Sequence, residues 1–166
     1  MNDDNTYYQD GVSRILDLVK DTFGEYFKAY FNGQPEEVAQ SMLPCVMVSE
    51  TTGRVESDAT GYDRITETVQ IILALNKKDD IGASPDVDLT EFKLRKLVKG
   101  QDPATGEYLE ETVMYALRKH ISMNNAVLLT QIETDFDVNI RGEETVTQEA
   151  YVTVTIERLA LVQSRD

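Results

Sequence analysis

The sequence predicts an α+β fold: a four-stranded antiparallel sheet with its helices on one face and a long C-terminal β-hairpin. Three observations lead there. Residues 10–31 repeat apolar side chains at helical spacing. Residues 64–76, and the pair 126–140 and 147–163, alternate apolar and polar side chains at strand spacing. Two shorter apolar-periodic stretches between the strands carry helix-start and helix-stop residues. The chain has 166 residues, 41% apolar and 28% charged, which suits one domain with a real core.

Taken in order, residues 1–9 read as a frayed arm. Val12, Ile15, Leu16, Val19, Phe23, Phe27, Tyr30 and Phe31 then form the stripe of one amphipathic helix, Asp10–Phe31, ended by Asn32, Gly33 and Pro35. Its plain role is to cover a sheet; the rival is a partner-facing helix. Glu36–Met42 suggests a short helical turn, and Leu43–Glu50 a strand, with Pro44 near its start pointing to a sheet edge. Residues 51–63 are polar, without apolar periodicity, and read as a long contact loop. Arg64–Asn76 is a strand, half-buried and then more fully buried, with Glu67 the exception on its apolar face.

Residues 77–87 read as a solvated turn; Asp79, Asp80, Asp86 and Asp88 lack the spacing of a calcium loop. Asp88 and Glu91 form a capping-box variant that opens a helix closed by Gly100, with Leu89, Phe92, Leu97 and Val98 on its apolar side. Residues 102–106 turn, and Glu107–His120 reads as a further helix, acidic at its start and basic at its end, as the helix dipole favours. The closing hairpin turns at residues 141–144. Its apolar parity shifts at Leu159 and Leu161, which predicts a bulge near Glu157 and Arg158.

The charge and the scarcity of soft ligands narrow the function. Sixteen Lys and Arg against thirty Asp and Glu leave a net charge of −14, which disfavours wrapping nucleic acid. Cys45, alone, makes no internal disulfide; among apolar neighbours it reads as a small core residue. One histidine, His120, and one cysteine are too few for a zinc site, and its place at a helix end explains His120 structurally. Nucleophile-elbow, dinucleotide-binding and P-loop motifs are absent from the sequence. The carboxylate pairs Glu110/Glu111 and Asp79/Asp80 are the residues an acid-base enzyme would use, but adjacent helix residues do not face one another. The sequence therefore predicts no catalysis, no cofactor and no metal. An acidic mimic of nucleic acid is a further alternative, weakened by the local balance of basic helices. No apolar run reaches the ~18 residues of a membrane span, and the acidic N-terminus has no signal-peptide pattern, so the expectation is a protein made and kept in the cytosol.

Lys93, Arg95, Lys96 and Lys99 form the one basic cluster of the acidic chain. They read either as a solvated helix face or as a docking face for an acidic neighbour, including the acidic side of a second copy.

The order of elements resembles the tail-terminator (tail-completion) proteins of long-tailed bacteriophages. The residues that carry the likeness are the helix Asp10–Phe31, the stretch LPCVMVSETTGRVESDATGYD running into RITETVQIILALNKKDD, the helical insertion Asp88–His120 and the acidic hairpin 126–163. The likeness is one of pattern and spans nearly the whole chain. Head-completion (stopper) proteins of the same neck are similar in size and role and stay open as the alternative. The resemblance implies a homohexameric ring in the virion, assembled in the host cytoplasm, with tail tube protein and neck protein as partners and the genome passing through the lumen without specific binding. In such a ring, Lys93, Arg95, Lys96 and Lys99 are expected to meet Glu133, Asp135 and Asp137 of the next subunit. Arg54, Glu56, Asp58 and Tyr62 in the polar loop, with Arg141 and Glu143 at the hairpin tip, are expected to contact tube or neck.

Overall fold

The computed structural model describes residues 10–58, 61–82, 86–120 and 127–162; the expected N-terminal arm lies outside them. Its elements are α1 (Gly11–Phe23), β1 (Ala29–Asn32), β2 (Cys45–Ser57), β3 (Tyr62–Asn76), α2 (Leu89–Lys99), α3 (Val113–His120), β4 (Val127–Ile140) and β5 (Val146–Leu161). The sheet has five strands in the order β1-β2-β3-β5-β4. It is mixed, because β1 runs parallel to β2 while every other pair is antiparallel. The α+β class stands, and the four-stranded antiparallel sheet is corrected.

The extra strand comes from the C-terminal end of the expected first helix. The Asp10 carboxylate caps α1 by accepting from the Ser13 N–H at 2.8 Å. Ile15, Leu16, Val19 and Phe23 are buried, each contributing about 1.5–3 kcal/mol before ordering entropy. Gly24, at φ +52°, then closes the helix by donating its N–H to the Lys20 carbonyl. Phe27 stays in the core, 5.3 Å edge-on from the Phe23 ring, but Tyr30 and Phe31 belong to β1, where their bulk suits a pleated surface. Aromatic spacing that fits one helical stripe thus fits a helix, a turn and a strand equally well.

A parallel pair needs a crossover, and residues 33–44 supply it on the face opposite the helices. Val38 and Leu43 pack there on Cys45, Met47, Ile72 and Ala74, forming a second small core. The sheet is buried on both faces at this end. The 36–42 turn shrinks to a 3-10 turn, Gln40–Met42. Pro44 precedes an interior strand, not an edge: it lies before β2 starts, and its carbonyl accepts from the Lys28 N–H.

The polar stretch 51–63 is not a loop. Residues 51–57 extend β2 and pair with β3 from Thr52↔Thr68 to Ser57↔Asp63, with a register irregularity at Thr51. Among the described residues no helix covers this end, and residues 51–57 are almost all exposed, so the apolar rhythm is missing there. The expected bulge near Glu157 and Arg158 is also absent. Register against β3 runs unbroken from Tyr62↔Leu161 to Asn76↔Thr147, and the irregularity of the hairpin falls opposite, at Thr130 of β4. The parity shift has another cause. Plain alternation keeps Arg158 on the helix side with Ile156, where it meets Glu67, and puts Leu159 and Leu161 on the opposite, open face, where they are exposed.

Glu67 is the start point of α1. Its Oε2 accepts from the Gly11 N–H at 3.0 Å and its other oxygen pairs with Arg158. A side chain on Gly11 would come within 2.6 Å of Ile156 Cδ1 and 2.7 Å of that carboxylate, so the helix approaches the sheet through a glycine. Over the same face, α2 buries Thr90, Leu94 and Val98; Phe92, expected inside, is exposed under the Arg95 guanidinium. Helix α3 begins later than expected, at Val113, because the Thr112 hydroxyl caps it by accepting from the Tyr115 N–H at 3.1 Å. Residues 101–108 fold back on themselves instead, with Gln101 bridged to Tyr108.

Candidate assembly surfaces

The four expected cations are all exposed on α2, because Thr90, Leu94 and Val98 take the inward face. They do not act as one patch. Arg95 lies 3.8 Å from Glu91 and stacks over Phe92. Lys99 reaches toward β4, its Nζ 5.7 Å from the centre of the Phe136 ring. Lys93 and Lys96 instead line a groove of about 470 Å³ with Tyr26, Leu97, Leu109, Glu110 and Glu111. The lining mixes apolar Leu97 and Leu109 and the Tyr26 ring with two lysines and two glutamates.

Glu133, Asp135 and Asp137 are exposed on β4, the outer strand of the sheet. Ile132 and Phe136 of the same strand pack against the helix-side core. Strand alternation therefore puts the three acids on the opposite, open face. The basic and acidic surfaces look to opposite sides of the sheet and do not neutralise each other within one chain.

Arg54, Glu56, Asp58 and Tyr62 gather at the far end of the β2–β3 hairpin. Arg54 pairs with Glu56, and Arg64 bridges Asp58 at 3.2 Å and Glu157 at 3.4 Å. The sequence reading missed the apolar part of this end. Leu159 and Leu161, opposite Arg64 and Tyr62, are 58% and 69% exposed. Their signal in the sequence is the parity shift at Leu159 and Leu161, which marks apolar residues on the open face and not a bulge.

Arg141 and Glu143 sit at the opposite end of the sheet, about 45 Å away for a strand of this length at ~3.3 Å per residue. The two groups do not form one contact surface. Glu143 is exposed. Arg141 is buried and is corrected as a surface contact: its guanidinium donates to Glu149 from Nε at 2.8 Å and from Nη2 at 2.6 Å. Glu149, fully buried, also accepts from the Tyr151 hydroxyl at 2.7 Å, the Thr147 hydroxyl at 3.1 Å and the Asn139 amide at 3.3 Å. Burial alone would push the Glu149 carboxyl up, but the bonds from Arg141 and Tyr151 outweigh it and hold the group below its usual range. The Arg141 carbonyl accepts from the Val38 N–H at 2.8 Å, tying the crossover to the same cluster.

Cys45 lies beside this cluster, fully buried; desolvation and the Glu149 charge push its thiol up to about 12. A thiol so held is no nucleophile. At about pH 8.5, where half of free cysteine is thiolate, native protein is expected to react with a disulfide reagent only as fast as it unfolds; labelling at the rate of free cysteine would contradict the burial.

Two of the loop acids have internal work. Asp80 accepts from the Leu89 N–H at 2.9 Å, and Asp88 caps α2 through the Glu91 N–H at 3.0 Å while taking Lys77 at 2.7 Å. The lysine and the cap together hold the Asp88 carboxyl well below the usual range. Among the described residues, no three His, Cys, Asp or Glu side chains converge to hold a metal ion, and no helix is long and apolar enough to cross a membrane. The side chain of His120 lies outside the described residues. No protein-family model matches the chain, and no curated protein matches it.

Proposed function

We propose that this chain is a tail terminator, a virion protein whose copies close a ring at the head-proximal end of a phage tail tube and join it to the neck. The observation that carries the reading is the pair of oppositely charged, exposed surfaces on opposite faces of one sheet. Patches that differ and face apart favour head-to-tail contacts, which close into rings when the rotation allows. In the proposed ring, Lys93 and Lys96 of one copy meet Glu133 and its acidic neighbours on the next. The sheet ends beyond the helix cover, with Tyr62, Leu159 and Leu161 at one and Glu143 at the other, are free to meet tube and neck protein. A wall of net charge −14 repels phosphate and lets DNA pass without holding it.

Mass photometry of the purified chain, alone and with tail tube protein, tests the reading. The expected result is a six-fold species in at least one of the two. A chain that stays monomeric in both would overturn it, and six-fold assembly on neck protein alone would turn the reading to a stopper. Reversing two charges, Lys93→Glu with Lys96→Glu, is expected to weaken assembly at least tenfold at low salt, with part of the loss restored by Glu133→Lys. Unchanged assembly in the double variant would remove α2 from the interface.

A further inference from the structure

Among the described residues, strand β4 has a neighbour on one side alone, β5, so one row of its backbone N–H groups faces outward. Near the hairpin tip that row is already occupied. The Phe136 N–H donates to Asp135 Oδ1 at 2.9 Å, the Val138 N–H to Asp137 Oδ1 at 2.8 Å and the Ile140 N–H to Asn139 Oδ1 at 2.9 Å. Donors two residues apart point to the same side of a strand. Since these three go to side chains and not to β5, they are the outward row. Each is held by the residue just before it, whose short Asp or Asn side chain reaches the next backbone N–H, whereas Glu and Gln are one methylene longer.

The same segment exposes apolar side chains: Val138 is 48% and Ile140 74% accessible. A long edge strand with open donors and exposed apolar residues is a template for another strand. We propose that Asp135, Asp137 and Asn139 are edge guards, which close this half of β4 to strand addition by a second copy or by any extended segment. A neighbour can then engage β4 through its side chains but cannot continue the sheet. The guard acts in the single chain and holds whether or not the chain forms a ring.

The test separates the cap from the charge. Asp135→Glu, Asp137→Glu and Asn139→Gln together keep every charge and amide but carry the acceptors past the adjacent N–H. This variant is expected to exchange the amide hydrogens of Phe136, Val138 and Ile140 at least tenfold faster than wild type, and to form dye-binding, sheet-linked species on standing. Asp135→Asn with Asp137→Asn keeps short acceptors and loses two charges; it is expected to retain slow exchange and to remain dispersed. Unchanged exchange in the long-arm variant, or faster exchange without added association, overturns the proposal. So does association of the Asn variant to the same extent, which would assign the guarding to charge. Exchange at Ile71 and Val152, in the middle of the sheet, reports that each variant is folded.

Discussion

Glu149→Ala is expected to destabilise the fold by about 3–5 kcal/mol, because it leaves the Arg141 guanidinium buried without its counter-charge. Thr147 and Tyr151 lose an acceptor in the same step. Domains of this size are stable by only ~5–15 kcal/mol, so urea unfolding followed by circular dichroism should show a much earlier midpoint. Replacing both partners, Glu149→Leu with Arg141→Met, should recover a large part of the loss, since an apolar pair carries no desolvation cost. A single variant within about 1 kcal/mol of wild type would mean the pair is not buried as described. The cluster also sets an acid dependence. The Glu149 carboxyl is held below its unfolded value, so its contribution is complete above the ordinary glutamate range and fades as pH falls through the folded value. The double variant should lose stability less steeply over that acid window.

Glu67→Ala is expected to cost about 3 kcal/mol, removing at once the partner of Arg158 and the acceptor of the Gly11 N–H. The effect has a location as well as a size. A carboxylate at a helix N-terminus is favoured by the helix dipole, so the first turn of α1 should open and its amides exchange faster than those of the last turn. Glu67→Gln keeps an acceptor for Gly11 and loses the charge; it should restore slow exchange in α1 without restoring the whole stability. Equal exchange along α1 in the alanine variant would separate Glu67 from the anchoring of the helix.

What the sequence made legible follows from how local each signal is. The start of α1, both ends of α2, the strand β3 and the closing hairpin are announced by caps and alternation within a few residues: Asp10, Asp88, Gly100 and the row Val152, Val154, Ile156. Strand β1 was hidden because its partner lies beyond a crossover and its aromatic residues also suit a helix. Residues 51–57 were hidden because paired strands without a covering layer show no apolar rhythm. Arg141 was misread because a charged residue in an acidic turn looks solvent-bound; its burial depends on Glu149, which sits across the hairpin on the less apolar face of β5. Of the expected interface, the exposure of the four cations and the three acids was legible from parity and helix spacing. The groove that gathers Lys93 and Lys96 was not, since its other side comes from Leu109, Glu110 and Glu111, which lie between the fold-back and α3 and not in the helix their spacing suggests.

The strand order carries a timing consequence. β5 lies between β3 and β4, and it is the last of the five strands to be synthesised. Until it emerges from the ribosome, the β2–β3 hairpin has a bare flank and β4 has nothing to join. The interior residues Val152, Val154 and Ile156, on which the helices rest, are also still missing. Translation must therefore run nearly to the end of this region before the sheet can close, and a nascent chain stalled short of β5 would display sticky strand flanks to whatever surrounds it.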